Sequence, residues 1–427
     1  MILLLQIFYL LSFVIVTVGA CSLIYFPLAL IFAWRSRHAS AFRTDSPLVS
    51  IIIPAYNEGK VIQNCIESIL RTGYPALELI LVDDGSSDDT LATMKRYENP
   101  PQIRVVAKAN GGKASALNAG MCIARGEILF FVDADGIFTH NTIREMLNGF
   151  TSEKVGAVCG NDEPVNLDRV LTQLLCLQTH SGTGFVRRGL ALMNCLTIVS
   201  GNIGAFRRDV LQKIVDGDHD IPSHTITPAT QPRKTGPFLD GSLGEDLELT
   251  WQVHRAGYRV NFAPTAIVLA EVPSTIKSLW KQRVRWARGY LQTVRLHQDM
   301  FFNPKYGLMG FYLPLNFTNM VIIPILQLVT AGLILLLGVT GYGPIALEVV
   351  GLILWLGIGM TLFTSVFSIA LDRAWKDLRY IYVIPLLILY SLLLDMVMVW
   401  AIMLETSGKK AEWNKVDRTG IVSRKEI

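Results

Sequence analysis

Hydrophobic and polar positions divide this chain into three parts. Met1 to Trp34 carries no charged side chain. The run is longer than a signal-peptide core and no small-residue cleavage motif ends it, so it predicts a membrane helix. Two full spans would need about 40 residues, which favours one long, tilted helix. Arg35, Arg37, His38 and Arg43 follow, and basic residues beside a span mark its cytoplasmic side. Toward the other end, apolar runs at Leu315–Leu337, Ile345–Leu371 and Ile381–Leu404 predict about three further spans. Arg373, Lys376 and Arg379 place the second link on the cytoplasmic side. Three spans then leave the C-terminus outside, yet the tail over 405–427 is basic (Lys409, Lys410, Lys415, Arg418, Arg424, Lys425) and favours the inside. A re-entrant segment or a different number of spans would reconcile the two. Asp395 falls in the last apolar run, where it faces either a bundle interior or, by snorkelling, the membrane surface.

From Pro47 to about Asn303 the pattern changes. Strand-length apolar runs at Val49–Ile53, Leu77–Val82, Ile103–Ala107 and Ile128–Val132 alternate with helix-like stretches at Glu58–Arg71, Ser87–Tyr97 and Gly112–Ala124. Such alternation predicts βαβ units and an α/β domain with a mostly parallel sheet, over about 47–273. Asp216–Gly244 is rich in Pro, Gly, Ser, Thr and His and reads as a long loop or lid. In 274–303, Ile276, Trp280, Val284, Ala287, Leu291 and Val294 form an apolar helical stripe, and Lys277, Lys281, Arg283, Arg288 and Arg295 make the segment basic. It predicts an amphipathic helix at the membrane surface. If its stripe faces lipid, Gln282, Arg285 and Trp286 lie on the opposite face, toward the α/β domain.

Composition supports a membrane assignment. Of 427 residues, 51% are hydrophobic and 17% charged, with a mean hydropathy of +0.38. The net charge of +4 does not imply nucleic acid. Six scattered cysteines, with neither a CxxC pair nor a Cys/His cluster in the sequence, argue against a zinc site or a disulfide framework and fit a reducing compartment.

The chemistry gathers at strand ends. Asp133-Ala134-Asp135 follows the run Ile128–Val132, where open α/β sheets place ligands. Two hard oxygen donors there suit Mg²⁺ or Mn²⁺ shared with substrate phosphates. Pro54-Ala55-Tyr56-Asn57-Glu58 ends the first strand; its Tyr could wall a nucleotide base, and its Asn could cap a helix. Asp83-Asp84-Gly85-Ser86 ends the second, where a carboxylate can accept from a base or a ribose. Lys113 opens a helix after Gly111-Gly112, a setting that attracts a diphosphate. Glu245 and Asp246 start another helix, whose Leu247, Trp251 and Ala256 suit burial on one side. A carboxylate at the rim of a cleft can serve as a general base. In Gln282, Arg285 and Trp286 a donor, a fixed cation and an indole suit a sugar and a phosphate.

Taken in order, Asp83-Asp84-Gly85-Ser86, Asp133-Ala134-Asp135, Glu245-Asp246 and Gln282-Arg283-Val284-Arg285-Trp286 resemble the motifs of membrane-integrated, processive family-2 glycosyltransferases. Pro54–Glu58 and Lys113…Leu117-Asn118 also match, and the resemblance covers about residues 47–300. Ser200–Arg208 and the Gln282–Gly289 segment look most like the bacterial poly-N-acetylglucosamine synthase branch. The resemblance implies a GT-A fold, an inverting transfer from a UDP-sugar (UDP-N-acetylglucosamine first), a glycan acceptor, Mg²⁺ or Mn²⁺, and accessory export subunits. It further implies that Asp83 or Asp84 contacts the uridine, and that Lys113 and Arg285 approach the diphosphate. Asp135 with Asp133 would hold the metal and donor, Asp246 would be the base beside Glu245, and Gln282 and Trp286 would shape the acceptor site. The expected location is the cell's inner membrane with a cytoplasmic catalytic domain. A non-processive lipid glycosyltransferase and a transport or scaffold protein with a degenerate transferase domain are the competing readings.

Overall fold

The structure, a computed structural model, describes residues 2–38, 46–217, 233 and 235–409. Arg43, most of the Pro- and Gly-rich loop, and the basic tail from Lys410 onward lie outside the described residues.

The expected strands form at β1 (Val49–Ala55), β2 (Leu77–Asp83), β3 (Ile103–Ala107) and β4 (Ile128–Phe131). They are joined by β5 (Ile137–Phe138), β6 (Val155–Pro164), β7 (Gly204–Arg207) and β8 (Arg259–Ala270) in one sheet of order β3-β2-β1-β4-β7-β6-β8-β5. β1 pairs in parallel with both β2 and β4, in the registers Ala55↔Asp83 and Ile52↔Phe131. The carboxyl ends of three motif-bearing strands therefore share one edge. β7 runs antiparallel between β4 and β6, which brings the turn before it, Ser200–Ile203, alongside Val132 and Asp133.

Side chains of the central strands alternate between two core layers, as a period of two requires. Ile51, Ile53, Leu79, Leu81 and Phe130 fill one layer; Ile52, Ile80, Val82, Leu129 and Phe131 fill the other. Both faces are apolar because helices cover both. The helices of the domain are α3 (Ile62–Arg71), α4 (Thr90–Lys95), α5 (Lys113–Ile123), α6 (Thr142–Asn148), α7 (Val170–His180), α8 (Arg188–Leu192), α9 (Arg208–Asp216) and α10 (Glu245–Arg255), with α11 (Ile276–Leu296) packed on α10 and on α15 (Leu386–Thr406). They are preceded by α1 (Ile2–Cys21) and α2 (Tyr25–His38), and followed by α12 (Leu308–Phe317), α13 (Ile323–Val339), α14 (Gly343–Asp372) and α15 (Leu386–Thr406).

Among the described residues four helical stretches are long and apolar enough to cross a membrane: Ile2–Arg37, Leu308–Val339, Gly343–Asp372 and Leu386–Thr406. The first is one stretch with a 3₁₀ turn at Ser22–Ile24. The last begins five residues later than the hydropathy run, because Trp375–Val383 winds as 3₁₀ turns and buries Asp377 and Tyr380. Asp395 is buried rather than snorkelling. The Gln327 amide, with its nitrogen turned toward α15, donates to it at 3.0 and 3.2 Å.

Two sequence expectations change here. The stripe of α11 faces protein, not lipid. Ala287 is buried, and Trp280, Val284, Leu291 and Val294 pack on the core layer that also holds Val397 and Met398 of α15; Ile276 alone of the stripe is exposed. Arg288 fastens the helix with a 2.6 Å bond from Nε to Glu405 Oε1. α10 is buried all round rather than on one side. Its Glu248 accepts from Arg233 and from His297, pairings with distant residues that no local pattern discloses.

A third expectation concerned Cys/His clusters. Cys176 and His180, one turn apart on α7, meet Asp377 of the 3₁₀ link. His180 Nδ1 lies 2.9 Å from Asp372 and Nε2 lies 3.0 Å from Asp377, while Arg188 donates to Asp372 at 2.7 Å. This polar knot ties the α/β domain to the end of α14.

Candidate active site

The turns after β1 and β2 are stitched together. Asn57, at φ 55°, caps no helix; its Oδ1 accepts from Ser87 N at 2.7 Å, while Ser86 Oγ accepts from Asn57 N at 2.9 Å. Glu58 N donates to Thr90 Oγ1 at 2.8 Å. Pro54 is the penultimate residue of β1, and Tyr56 stands 41% exposed at the rim. The two aspartates at the end of β2 differ sharply. Asp84 accepts from Lys108 Nζ at 2.6 Å and from the backbone of Gly111 and Gly112 at 3.0 and 2.8 Å, so it shapes the turn that launches α5. Asp83 accepts from Ser86 N through Oδ2, and its buried Oδ1 accepts no hydrogen bond.

That turn aims Lys113, the first residue of α5, across the sheet edge. Lys113 Nζ bridges Asp133 Oδ1 at 2.7 Å and Glu245 Oε1 at 2.9 Å. Lys113, Asp133, Ser200, Gly201, Glu245 and Asp246 line a single small cavity. Burial alone would lower the Lys113 pKa, but Asp133, Glu245 and Asp246 hold it well above the ordinary lysine range. For Asp246 burial is the largest influence and raises its pKa; Glu245 adds to this. Lys113, the Leu247 N–H and Arg285 pull it back, leaving it at about 6. Such a carboxylate is ionised near neutrality and basic enough to take a proton.

Two glycines that the motifs did not single out make this cluster possible. A Cβ on Gly201 would lie 2.8 Å from Lys113 Nζ and within 3.6 Å of both Asp246 Oδ2 and Asp133 Oδ2. Gly201 also accepts from Asp133 N at 3.1 Å. On α11, a Cβ on Gly289 would meet Gly244 N at 2.8 Å, at the start of α10. Gly289 thus lets α11 approach the start of α10, where Gln292 also accepts from Leu243 N, and the approach brings Arg285 near enough for Asp246 to feel its charge. Gln282 and Trp286 do not line the cavity. Trp286 is 47% exposed, with the Arg283 guanidinium 4.2 Å from its ring centre.

Asp135 is buried just beyond β4. Burial, then Asp135 and Asp133, push the Cys65 thiol far up, so it stays protonated beside them. The donors at this strand end are therefore carboxylate oxygens without a thiolate. That set fits a hard divalent cation, and it is separate from the Cys176–His180–Asp377 group.

Residues 50–215 match the profile of glycosyl transferase family 2, and this stretch is a family 2 glycosyltransferase domain. Curated relatives are the poly-beta-1,6-N-acetyl-D-glucosamine synthases of Staphylococcus epidermidis and Staphylococcus aureus (strain COL), each 30% identical over 243 residues. The match takes in 56% of this chain and 54% of theirs, so the chain spans about half the length of the curated relatives it matches. Among solved structures, the mannosyltransferase PcManGT from Pyrobaculum calidifontis, in complex with GDP-Man and Mn2+, shares the fold with a TM-score of 0.61 at 20% identity. That likeness covers 93% of this chain and 99% of the other. The domain has the GT-A fold that the sequence resemblance implied.

Proposed function

We propose that this chain is a membrane-embedded glycosyltransferase that moves a sugar, N-acetylglucosamine in the first instance, from its UDP donor to a growing β-linked polysaccharide. The observation that carries the reading is the convergence of Lys113, Asp133, Glu245 and Asp246 on one cavity at the carboxyl edge of the sheet. The names of the curated relatives support the choice of sugar and polymer.

In this reading Asp83, with its open Oδ1, receives the uridine, against the rim made by Pro54, Tyr56 and Glu58. Asp84 acts through the turn it holds. Asp133 and Asp135 hold a divalent cation, which when bound neutralises charge developing on the diphosphate. Lys113 and Arg285 add fixed positive charge on the same side. The acceptor hydroxyl attacks the anomeric carbon from the face opposite UDP, and Asp246 takes its proton. The C1–O bond to UDP breaks as the new glycosidic bond forms, inverting the centre without a covalent enzyme intermediate. Gln282 and Trp286 border the acceptor at the membrane side. The catalytic domain faces the cytoplasm at the inner membrane, as Arg35 and Arg37 beside the first span favour. The spans give the product a way out, with accessory subunits assisting.

Purified full-length protein given a panel of UDP-sugars tests this. A ladder of long polymer from UDP-N-acetylglucosamine, digestible as a β-linked glycan, is the expected product. Turnover should stop in EDTA and return with Mg²⁺ or Mn²⁺. A lipid bearing one sugar would replace the polymer reading, and turnover that persists in EDTA would remove Asp133 and Asp135 from their role.

A further inference from the structure

Beyond Cys159, the last β6 residue paired with β7, the strand continues alongside β8 alone and presents Asp162. Arg187, at the end of the π-helical stretch Ser181–Arg187, reaches over it. Its Nη1 lies 3.4 Å from Asp162 Oδ2 and 3.4 Å from Gly160 O, the outer limit of hydrogen bonding. Asp162 Oδ1 is buried and accepts no hydrogen bond. Each side chain is about one-fifth exposed. Ser200 and Asn202 flank the Asp162 carboxylate, and Gly201 between them is the residue against which Asp246, Asp133 and Lys113 gather. The loosely paired ions thus stand one residue from the reacting cluster.

Their side of the cluster is distinctive. Lys113 and Asp133 come from the β1–β2–β4 half of the sheet. Arg187 belongs to the segment that packs on the membrane helices. Phe185 meets Tyr25 of α2 and Phe367 of α14 edge-on, with ring centres 6.1 and 6.0 Å apart. Arg188 next to it is pinned to Asp372.

We propose that Asp162 and Arg187 form the subsite that grips the terminal sugar of the acceptor glycan, a proposal that rests on the glycosyltransferase reading above. A carboxylate with one oxygen that accepts no hydrogen bond, beside a guanidinium held at the limit of bonding distance, matches the neighbouring hydroxyls and amide of an amino sugar. Binding there turns the acceptor hydroxyl toward Asp246 from the side away from the diphosphate.

The test uses full-length protein in detergent, with the isosteric variant Asp162→Asn and the charge-removing variant Arg187→Gln. Transfer to a β-1,6-linked N-acetylglucosamine pentasaccharide is titrated at saturating UDP-N-acetylglucosamine. Donor KM and acceptor-free UDP release are measured in parallel, and melting temperatures check folding. The expected result is an acceptor KM raised by about 10-fold or more, the scale of losing a hydrogen bond to a charged group, with donor KM and UDP release unchanged. If one variant unfolds, the other carries the test. An unchanged acceptor KM overturns the subsite, as does a parallel loss of donor affinity, which would assign the pair to the donor. A wild-type protein that releases UDP from no donor overturns the glycosyltransferase reading itself, and the subsite with it.

Discussion

Around His180 charges meet two for two. Asp372 and Asp377 face His180 and Arg188, at 2.7 to 3.0 Å. Burial would strip the proton from His180, but the two carboxylates hold its pKa up at about 12. At the sheet edge the ratio is different. Asp133, Glu245 and Asp246 share Lys113, with Asp135 buried close by. The first cluster is buried and the second partly so, and both join distant parts of the chain. The first is neutral and closed, and its work is mechanical, holding α7 and α8 against the end of α14. The second has more negative than positive charge, which a cation and a proton can relieve. A buried charge cluster left out of balance is thus a better pointer to chemistry than a satisfied one.

The contrast breaks most visibly under single isosteric substitutions. Asp246→Asn should lower kcat by about 10³-fold, within the range for removing a general base, with the melting temperature held. Asp372→Asn should do the reverse. Leaving His180 and Arg188 underpaired should cost about 3 kcal/mol of stability, while activity per folded molecule stays near wild type. Thermal unfolding and initial rates on the same samples measure both. If Asp372→Asn abolished turnover in fully folded protein, the separation of roles would fail.

The pH responses should also diverge. As the proposed base, Asp246 would work ionised, so the rate should rise with pH through about 6 and level above it. His180 has a folded pKa raised above its ordinary 6.5. Its contribution to stability is therefore complete below about 6.5 and is lost as pH rises through about 12. The stability gap between wild type and His180→Asn should be widest in acid and narrow only in the alkaline range. A gap that widened with pH would contradict the charged-histidine account.

Smaller effects sharpen the picture. Gly289→Ala forces a methyl against the start of α10. It should lower kcat by roughly 10-fold through a displacement on the order of 1 Å, with donor binding little altered. Arg285→Gln removes one of the charges that lower the Asp246 pKa, so the acid limb of the rate profile should move slightly upward. A limb that moved down would separate Arg285 from Asp246.

The motif strands and their carboxylates were legible because each rests on local signals: an apolar run of strand length, then a turn. Lys113 was legible for the same reason, although its partners here are Asp133 and Glu245 instead of a phosphate. The division of labour between Asp83 and Asp84 was not, since they sit side by side at the end of one strand and differ in what Ser86, Lys108 and the Gly111-Gly112 turn bring to them. Gly201 and Gly289 were quoted in motifs, but their meaning is steric and appears only when the partner backbone or side chain is in place. The α11 stripe misled because an apolar face reads identically against lipid or protein. The encirclement of α10 and the His180 knot escaped because Arg233, His297, Asp372 and Asp377 arrive from far along the chain.

The most direct measurement is incorporation of labelled N-acetylglucosamine from its UDP donor by purified full-length protein, wild type against Asp246→Asn, with Mg²⁺ or Mn²⁺ and with EDTA. The account predicts polymer from the wild type with metal, and almost none from the variant or in EDTA. Equal incorporation by Asp246→Asn would contradict it.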